Sequence, residues 1–578
     1  MKRLLTGMEA LARAAAEERV QLVSGHAGHA GRPVAAMLEA ALREGVCARR
    51  APNEKVALEV AMGASLAGAR AVAAVASLAA VVDPLHAMAY VGAAGGFAVV
   101  AVDDPGLALG AVETDSRTLA RALELPWIEP SDAPECKEYL AAALGLSERW
   151  ETPVVVRITT RVALTGRPVS LGATAAGEAA GLRRDRERRV LVPGRGRRPR
   201  SGARERLAQL AAHAGESPLN RVELRSPALG VVTSGASYHH VREALPEASV
   251  LKLGLSFPFP AQLARDFAAR VDRLVVVEEL EPVLEYELRA LGISCQGESL
   301  MPRTGELGPD LIALALGSAV RRDRRREAVP ERPPEPCAGC PRRALFHALK
   351  RVHVNVAGDL GCATMGASAP LAALDSAFAV GASIGVAHGA ELVLGERVRG
   401  RLVAVLDEGA FLHSGALALA HVAGAGAGGT VVVAEDGMRP RVGAPAADLV
   451  ALARALVGMR GGQTSALQHG APGTPRVREV DALDLAATEA ALREELARPE
   501  LSVVVARGRC PMPQAAPRPP CAVNSARCNR CGACLRLGCP AISDGFDAMV
   551  IDAGTCAGCG LCVQVCRAGA IAPTEPSP

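Results

Sequence analysis

The chain has 578 residues, which at roughly 150 residues per domain predicts about four domains. Hydrophobic residues make up 49% of the sequence and charged residues 22%, a balance that excludes a disordered scaffold. Aromatic residues are only 2%, so the core must be built from Ala, Val and Leu. The net charge of +4 is close to neutral, which argues against a nucleic-acid binder with a concentrated basic face.

The first residues lack the features of a secretory signal. Met1, Lys2 and Arg3 are followed by a short helical stretch that Glu9 interrupts, rather than by an apolar segment. The longest apolar run, around residues 71–82, is shorter than the ~20 residues that a membrane span needs. We therefore expect a cytoplasmic protein that does not enter a membrane. In that compartment its cysteines should be ligands rather than disulfides.

Three segments alternate short apolar runs with helical periods, which is typical of a buried parallel sheet covered by helices. The three predicted domains are residues 1–182, 207–320 and 337–510. In chain order, the predicted strands are VQLVSG, ARAVAAVAS, GGFAVVAVDD and TPVVVRITT, then ALGVVTSG, ASVLKLGL and DRLVVVEEL, then HVNVAGD, GRLVAVLDEG, GTVVVAED and LSVVVARG. The predicted fold class is therefore α/β, with three units of the doubly wound kind.

Three stretches rich in Pro and Arg separate these segments, at residues 183–206, 321–336 and 511–520. Each has few apolar residues, so we predict solvated linkers without regular structure. The last segment, residues 521–578, is rich in cysteine and has almost no apolar core. A segment of this size needs metal or covalent bonds to stay folded.

The last segment also carries the most specific motif of the chain. Two CxxCxxC runs, each followed by a further cysteine, form an internal repeat typical of bacterial ferredoxins with two [4Fe–4S] clusters. Each cluster would take three cysteines of one run and the last cysteine of the other. The two predicted sets are Cys528, Cys531, Cys534 and Cys566, and Cys556, Cys559, Cys562 and Cys539. Zinc is the alternative because CxxC pairs also bind zinc, but eight cysteines in this double pattern favour clusters.

Four motifs in the third α/β segment resemble those of a known enzyme family. They are Cys337-Ala338-Gly339-Cys340-Pro341, Gly358-Asp359-Leu360-Gly361-Cys362, the small-residue stretch 381–389, and Phe411-Leu412-His413-Ser414-Gly415. They resemble the alpha subunits of indolepyruvate:ferredoxin oxidoreductases, in the 2-oxoacid:ferredoxin oxidoreductase superfamily. Further similar stretches extend the resemblance over almost the whole chain: residues 53–59, 103–106, 115–117, 159–162, 233–235 with Tyr238, 251–254 and 278–280.

The resemblance implies a role for each segment. Residues 1–182 would bind the pyrimidine of thiamine diphosphate and residues 337–510 its diphosphate. Residues 207–320 would resemble the transketolase C-terminal domain, and residues 521–578 would be a ferredoxin domain with two clusters. The implied reaction is oxidative decarboxylation of arylpyruvates to acyl-CoA, with electrons passing to ferredoxin. The implied partners are a smaller beta subunit in an alpha–beta hetero-oligomer, ferredoxin, CoA and the 2-oxoacid, but no nucleic acid and no membrane.

Glu54 is the predicted catalytic residue. It lies ahead of a predicted helix, in a position that resembles the pyrimidine-binding unit of thiamine enzymes. A carboxyl group hydrogen-bonded to the aminopyrimidine favours the imino tautomer, which then deprotonates the thiazolium carbon. The alternative is that Glu54 only places a negative charge at the helix N-terminus.

The diphosphate end of the cofactor needs a glycine-rich turn and a divalent ion. The predicted cofactor-binding residues are Gly358, Asp359, Gly361, His413 and Ser414. Where the family holds magnesium with a Gly-Asp pair and an Asn, this sequence has Asp407-Glu408 and Asp436. Glu408 and Asp436 are the predicted Mg²⁺ ligands because carboxylates are hard donors. The extra negative charge beside a diphosphate predicts weak cofactor binding.

Other cofactor-facing loops also depart from the family. A Tyr-Pro-Gly-Thr-Pro turn is replaced by residues 26–30, and a Thr-Ala-Met-Thr-Gly turn by residues 440–443. Two interpretations stay open: a divergent enzyme with another substrate, or a non-catalytic electron-transfer or assembly paralogue with a degenerate thiamine site. His29, Glu408 and Asp436 are the residues that discriminate between them. A thiamine decarboxylase without redox chemistry is disfavoured by the ferredoxin segment.

Four further cysteines precede the ferredoxin segment. They are Cys337, Cys340, Cys362 and Cys510. In the related pyruvate:ferredoxin oxidoreductases, a CxxC pair, a cysteine after the Gly-x-Gly turn and a late cysteine hold a cluster beside the cofactor. The resemblance therefore predicts a possible third [4Fe–4S] cluster. The alternative is a simple turn at Cys337 and Cys340, with Cys362 and Cys510 packed as small hydrophobic residues.

Overall fold

The structure is a computed structural model that describes residues 1–28, 31–182, 184–194, 197–317, 335–437, 448–458, 476–512 and 518–574. Within these ranges the chain forms two compact units, one ending at residue 317 and the other beginning at residue 335. Residues 321–334 and 513–517 of the predicted linkers lie outside the described residues. His29 and the predicted turn 440–443 lie outside them as well.

The first unit contains thirteen described strands and thirteen described α-helices. The strands are β1 Lys2–Thr6, β2 Leu22–Gly25, β3 Cys47–Arg50, β4 Ala71–Val75, β5 Phe97–Asp103, β6 Trp127–Ile128, β7 Val154–Thr159, β8 Gly166–Ser170, β9 Arg221–Glu223, β10 Ser226–Ser234, β11 Ala248–Leu253, β12 Leu255–Phe257 and β13 Leu274–Val277. The helices are α1 Gly7–Glu17, α2 Arg32–Arg43, α3 Glu54–Leu66, α4 Val82–Val91, α5 Ser116–Ala122, α6 Ala133–Trp150, α7 Thr160–Leu164, α8 Arg186–Arg189, α9 Arg197–Ala214, α10 Ser237–Ala244, α11 Ala261–Ala268, α12 Val283–Ala290 and α13 Pro309–Ala315.

A seven-stranded sheet in the order β12-β6-β7-β5-β4-β2-β3 forms the centre of this unit. All its strand pairs are parallel except β12 with β6. The central strands β4, β5 and β7 are buried along their whole length, because apolar clusters rich in Ala, Val and Leu cover both faces. The four apolar runs predicted as strands in residues 1–182 form β2, β4, β5 and β7, so these predictions are confirmed.

The middle segment forms a four-stranded sheet in the order β13-β10-β11-β9, in which only β9 is antiparallel. Its three predicted runs form β10, β11 and β13. The next strand, β12, leaves this sheet and pairs with β6 of the seven-stranded sheet. The segments 1–182 and 207–317 therefore share one compact unit, which their separate apolar patterns do not indicate.

The prediction that residues 183–206 form a linker without regular structure is wrong. It contains α8 and the first half of α9. Helix α9 buries Ala203, Leu210 and Ala214. Arg206 donates hydrogen bonds to the carbonyl oxygens of Ala89 and Tyr90 at the end of α4. These tertiary contacts stabilise a helix whose composition alone predicts a solvated chain.

The second unit contains nine described strands and seven described α-helices. The strands are β14 Asn355–Ala357, β15 Leu402–Asp407, β16 Thr430–Glu435, β17 Arg476–Asp481, β18 Ser502–Arg507, β19 Cys521–Val523, β20 Ile542–Asp544, β21 Met549–Ile551 and β22 Ile571–Pro573. The helices are α14 Pro341–Val352, α15 Ser383–Leu394, α16 Glu408–Ala410, α17 Ala416–Gly424, α18 Leu449–Val457, α19 Leu485–Leu496 and α20 Leu561–Val565.

A fully parallel sheet in the order β14-β15-β16-β18-β17 forms the core of the second unit. Its four predicted strands form β14, β15, β16 and β18. One apolar cluster covers each face, as the doubly wound prediction requires. The carboxyl ends of β14, β15 and β16 lie side by side at one edge, which is where ligands bind in sheets of this kind.

Candidate functional site

The C-terminal tail, residues 518–574, presents its cysteines from loops between short strands. Antiparallel pairs β19–β22 and β20–β21 form its two small sheets. The cysteines that line one cavity are Cys528, Cys531, Cys534 and Cys566. The predicted ligands that line the other are Cys539, Cys556, Cys559 and Cys562. The two groups coincide with the two sets that the sequence spacing predicts.

A ninth cysteine, Cys521, also lines the second cavity and was not singled out by the sequence analysis. Its backbone N–H donates to Sγ of Cys556 at 3.4 Å, and its thiol is hydrogen-bonded to that of Cys562. In the same way, the N–H of Ala570 donates to Sγ of Cys566 at 3.3 Å. Both backbone N–H groups therefore point at sulfur atoms of predicted ligands. Cys521 falls outside the CxxC spacing, so no sequence signal marks it.

The CxxC loop that begins the second unit packs against the second cysteine cavity. Gly339, with φ +77°, approaches the tail so closely that a Cβ there would lie 2.6 Å from the Cβ of Ala557. Buried Arg343 donates from Nη1 to the carbonyl oxygens of Leu537, at 2.8 Å, and Gly538. These contacts fix the start of α14 against the tail.

Three aspartates meet at the carboxyl edge of the five-stranded sheet. Asp359 lies two residues after β14, Asp407 is the last residue of β15, and Asp436 directly follows β16. Because these strands are adjacent and parallel, their carboxyl ends lie at the same edge. The structure therefore brings together the residues that the sequence predicts around a diphosphate and its metal ion.

Arg342 joins two of these aspartates. Its Nε donates to Oδ1 of Asp407 at 2.5 Å, and its Nη2 donates to Oδ2 of Asp436 at 2.5 Å. The side chains are 5%, 13% and 11% exposed for Arg342, Asp407 and Asp436, so the bridge is almost dry. Burial opposes the charge on Arg342, but the two carboxylates outweigh it and raise the pKa of the guanidinium. Sequence spacing gives no sign of this bridge.

Asp359 uses its carboxylate to hold the small-residue stretch that precedes α15. Its Oδ1 accepts hydrogen bonds from the backbone N–H groups of Gly381 at 2.7 Å and Leu360 at 3.0 Å. Burial raises the pKa of Asp359 to about 6, against the opposing effect of these hydrogen bonds. Gly381 has φ +79°, and a Cβ there would lie only 2.0 Å from Oγ of Ser414, so glycine is required.

The predicted residues His413 and Ser414 lie in a π-helical turn, Phe411–Gly415. Ser414 Oγ donates to the carbonyl oxygen of Val380 at 2.9 Å and lies 3.1 Å from Nδ1 of His413. Gly361, with φ +121°, lies against Asp407, since a Cβ there would be 3.4 Å from its Oδ2. The carboxyl edge of the five-stranded sheet thus carries the predicted residues Gly358, Asp359, Gly361, His413 and Ser414. Half-buried Glu408, at the start of α16, lies at the same edge.

The structure brings three of the four remaining candidate cysteines towards Arg342. The charge of Arg342 acts on the thiols of Cys340, Cys362 and Cys510. Burial raises the pKa of Cys362 to about 11. Cys337 is exposed, and its carbonyl oxygen accepts the N–H of Cys340 at 3.1 Å. A third cluster at these residues stays a prediction.

Glu54 is the first residue of α3, and the side chain of Asn53 caps that helix by accepting the N–H of Val56 at 2.8 Å. The carboxyl group of Glu54 is therefore at a helix N-terminus, as its structural alternative requires. Glu54 is half-buried. Its catalytic role stays a prediction.

Several of the family-like stretches in the first unit contribute residues to a buried network of charged side chains. Asp103 accepts Nε of Arg157 at 2.7 Å and the hydroxyl of Ser116 at 2.6 Å. Arg117 donates to Asp115 at 2.6 Å and to Glu278 at 2.8 Å. Burial raises the pKa of Glu278 to about 7, against the lowering effect of Arg117. These motif residues join the segments 1–182 and 207–317, a structural role that the sequence does not reveal.

Comparisons with known proteins place the chain in a family. The 4Fe-4S binding domain family matches residues 549–572. The indolepyruvate oxidoreductase subunit IorA of Methanothermobacter thermautotrophicus is 32% identical over 99% of this chain and 97% of its own length. The IorA proteins of Pyrococcus horikoshii and Archaeoglobus fulgidus are 31% and 30% identical, over 98% and 99% of this chain and 96% and 98% of their own lengths.

The chain belongs to the indolepyruvate oxidoreductase IorA family. It is therefore an oxidoreductase of the iron–sulfur kind, as the sequence resemblance predicts. Among solved structures, a 2-oxoglutarate:ferredoxin oxidoreductase from Magnetococcus marinus matches at 15% identity and a TM-score of 0.43, over 55% of this chain and 65% of that one. Among the described residues of this IorA-family chain, no helix is long and apolar enough to cross a membrane.

The described residues fit the cofactors of this family unequally. Nine cysteines line the two cavities of the tail, and eight of them form the two predicted sets, so the donor set fits two iron–sulfur clusters. The carboxyl edge of the five-stranded sheet does not fit a magnesium-bound diphosphate. Asp436, a predicted metal ligand, is bonded to Arg342, and so is Asp407. Glu408 and Asp436 as magnesium ligands therefore lack support from this geometry.

Proposed function

We propose that this chain is the iron–sulfur alpha subunit of a 2-oxoacid:ferredoxin oxidoreductase that acts on arylpyruvates of the indolepyruvate type. With a smaller beta subunit it would oxidise the 2-oxoacid to acyl-CoA and carbon dioxide and deliver two electrons to ferredoxin. The observation that carries the proposal is the pair of cavities, each lined by four predicted cysteine ligands, in a chain similar to IorA proteins over almost its whole length. We further propose four domains, at residues 1–182, 207–320, 337–510 and 521–578.

The tail would act as the electron exit. Each group of four cysteines would hold one [4Fe–4S] cluster, which accepts and releases one electron at a time. The backbone N–H groups of Cys521 and Ala570, which donate to Cys556 and Cys566, would stabilise charge on the ligating sulfur atoms. Gly339 lies against Ala557 beside the second cysteine cavity, so the start of α14 would lie next to the second cluster.

The family resemblance implies thiamine diphosphate as the organic cofactor. Glu54 is the carboxyl group that we propose to face its aminopyrimidine. Because Arg342 is bonded to two carboxylates at the predicted metal site, we assign no catalytic step to the diphosphate end. Beside that end, the turn at Gly381 is held by a hydrogen bond from its N–H to Asp359 and by close packing against Ser414.

A second candidate function is favoured by the same bridge. In it, the chain is an electron-transfer or assembly subunit that keeps the clusters and has lost thiamine chemistry. Arg342, between Asp407 and Asp436, is the specific observation in its favour. The two candidates differ in cofactor content, because only the first requires bound thiamine in the purified protein.

A Glu54→Gln substitution tests the first candidate in the alpha–beta complex with indolepyruvate, CoA and ferredoxin. We expect ferredoxin reduction to fall by about 10²–10⁴-fold, because an amide cannot take part in the proton transfer that activates the cofactor. The iron–sulfur absorbance should be unchanged. Glu59→Gln, in the same helix and paired with Lys55 at its exposed face, is the matched control and should keep full activity.

Equal ferredoxin reduction in the wild type and Glu54→Gln would remove Glu54 from the mechanism. If the wild-type complex has intact clusters, no bound thiamine and no indolepyruvate-dependent reduction, the second candidate replaces the first.

A further inference from the structure

We propose that Arg342 takes the place of a divalent cation at the carboxyl ends of β15 and β16, so that this site binds no divalent metal ion. The inference deepens the proposed function by naming the charge that neutralises this site. It rests on that function only in treating this edge as the place of the family's metal ion. Its test measures ion binding and needs no turnover.

The geometry of the bridge carries the argument. The guanidinium presents two N–H donors, from Nε and Nη2, to one oxygen of Asp407 and one of Asp436. Both distances are 2.5 Å, and the arginine is 5% exposed. The planar fork of arginine matches carboxylates on two sides better than a single point charge does. One positive group therefore spans both strands, as a bridging metal ion would.

A metal ion and this arginine compete for the same oxygen atoms. Mg²⁺ requires oxygen ligands at about 2.0–2.1 Å in octahedral geometry. An ion close enough to bind Asp407 and Asp436 would lie beside the buried guanidinium, and two cations at that distance repel each other strongly in a dry site. Entry of the ion would also break two charge-assisted hydrogen bonds.

The fold fixes the backbone that carries Arg342. It is the second residue of α14, directly after Pro341. The next residue, Arg343, is bonded to the tail through the carbonyl oxygens of Leu537 and Gly538 and to that of Pro336. The helix start is thus held from the opposite side. Asp407 also stands where the family resemblance places a glycine, so the arginine has a partner carboxylate that the family pattern lacks.

The test measures Mn²⁺ binding to the full-length chain with oxidised clusters. The electron paramagnetic resonance signal of the free ion reports how much Mn²⁺ stays unbound. We compare the wild type with Asp436→Ala, and the double variant R342A/D407G with the triple variant that adds D436A. The double variant removes the arginine together with its extra partner, which avoids leaving two buried aspartates face to face. It retains Glu408 and Asp436 as oxygen donors.

We expect no difference in bound Mn²⁺ between the wild type and Asp436→Ala. The double variant should gain one Mn²⁺ per chain, and the triple variant should lose it. R399A is the control, because it also frees a carboxylate by breaking the exposed ion pair of Arg399 with Glu396. This variant should gain no bound Mn²⁺.

The proposal is overturned if the wild type binds one Mn²⁺ that Asp436→Ala removes. It is equally overturned if the double variant, folded and with full iron content, gains no site, because the arginine would then not be what excludes the ion. Activity with indolepyruvate is measured separately, so failure of the proposed function leaves this result interpretable.

Discussion

Replacing Arg117 with alanine is expected to destabilise the first unit by about 3–5 kcal/mol. The side chain is 1% exposed and donates to Asp115, to Glu278 and to the carbonyl oxygens of Glu279 and Glu281. Its removal leaves two buried carboxyl groups without their shared cation. Breaking a buried ion pair by removing one partner is among the most destabilising single changes, because the remaining charge stays out of water.

Tryptophan fluorescence during thermal unfolding measures this effect selectively. The chain has two tryptophans, Trp127 and Trp150, and both are buried in the first unit. We expect the midpoint of this transition to fall by roughly 6–20 °C in Arg117→Ala. The control is Arg121→Ala on the same helix, because Arg121 is exposed and makes a single ion pair, with half-buried Glu287, which contributes about 1 kcal/mol. A midpoint shift no larger than that of the control would show that the network does not stabilise the unit.

The buried strands of the fold were predictable because their sequence is determined by the sheet itself. Runs such as residues 71–75 and 503–506 are apolar on both faces, since helices cover a parallel sheet on both sides. The strands that were not predicted lie at edges or are very short. β3 (CARR) and β17 (RVREVD) are edge strands of their sheets, where charged side chains are tolerated.

The tail cysteines and Arg342 show which parts of a site a sequence can reveal. Ligand spacing in the tail is local, so the CxxC repeat predicts the two groups that line its cavities. Arg342 lies 65 residues before Asp407 and 94 before Asp436. In the sequence it is one arginine among many, and it acquires a role only when the parallel strands bring both aspartates to the start of α14.

The same limit applies to residues whose motifs were recognised but whose function was not. Asp359 was predicted to face a diphosphate, and in the structure its carboxylate bonds the backbone of the stretch before α15. Arg117 and Glu278 both belong to family-like stretches. They form an ion pair with each other although they are far apart in the sequence. A motif identifies which residues a family retains, whereas the partner of each side chain depends on tertiary contacts.

Replacing Cys562 with alanine is expected to remove one cluster and to unfold much of the tail. The buried apolar cluster of the tail includes three cysteines, Cys521, Cys534 and Cys562. The tail adds only four large hydrophobic residues to it, Leu537, Met549, Leu561 and Ile571. Metal–thiolate bonds must therefore supply much of the folding energy. We expect about eight irons per chain from the two predicted tail clusters of the wild type and a loss of about four in Cys562→Ala. Iron analysis and the rate of tail cleavage by trypsin measure the two effects.

Cys47→Ala is the matched control, because Cys47 is an exposed free cysteine in the first unit and its loss should change neither iron content nor proteolysis. Full iron content in Cys562→Ala, or zinc in place of iron in the wild type, would contradict the assignment of the second cavity.

Cys510→Ala in the same series decides the third cluster. A fall from about twelve irons to about eight supports ligation by Cys510, and about eight irons in both proteins excludes it. In the latter case buried Cys340 and partly buried Cys362 and Cys510 are thiols near Arg342. The charge of Arg342 is then balanced by Asp407 and Asp436 rather than by a cluster.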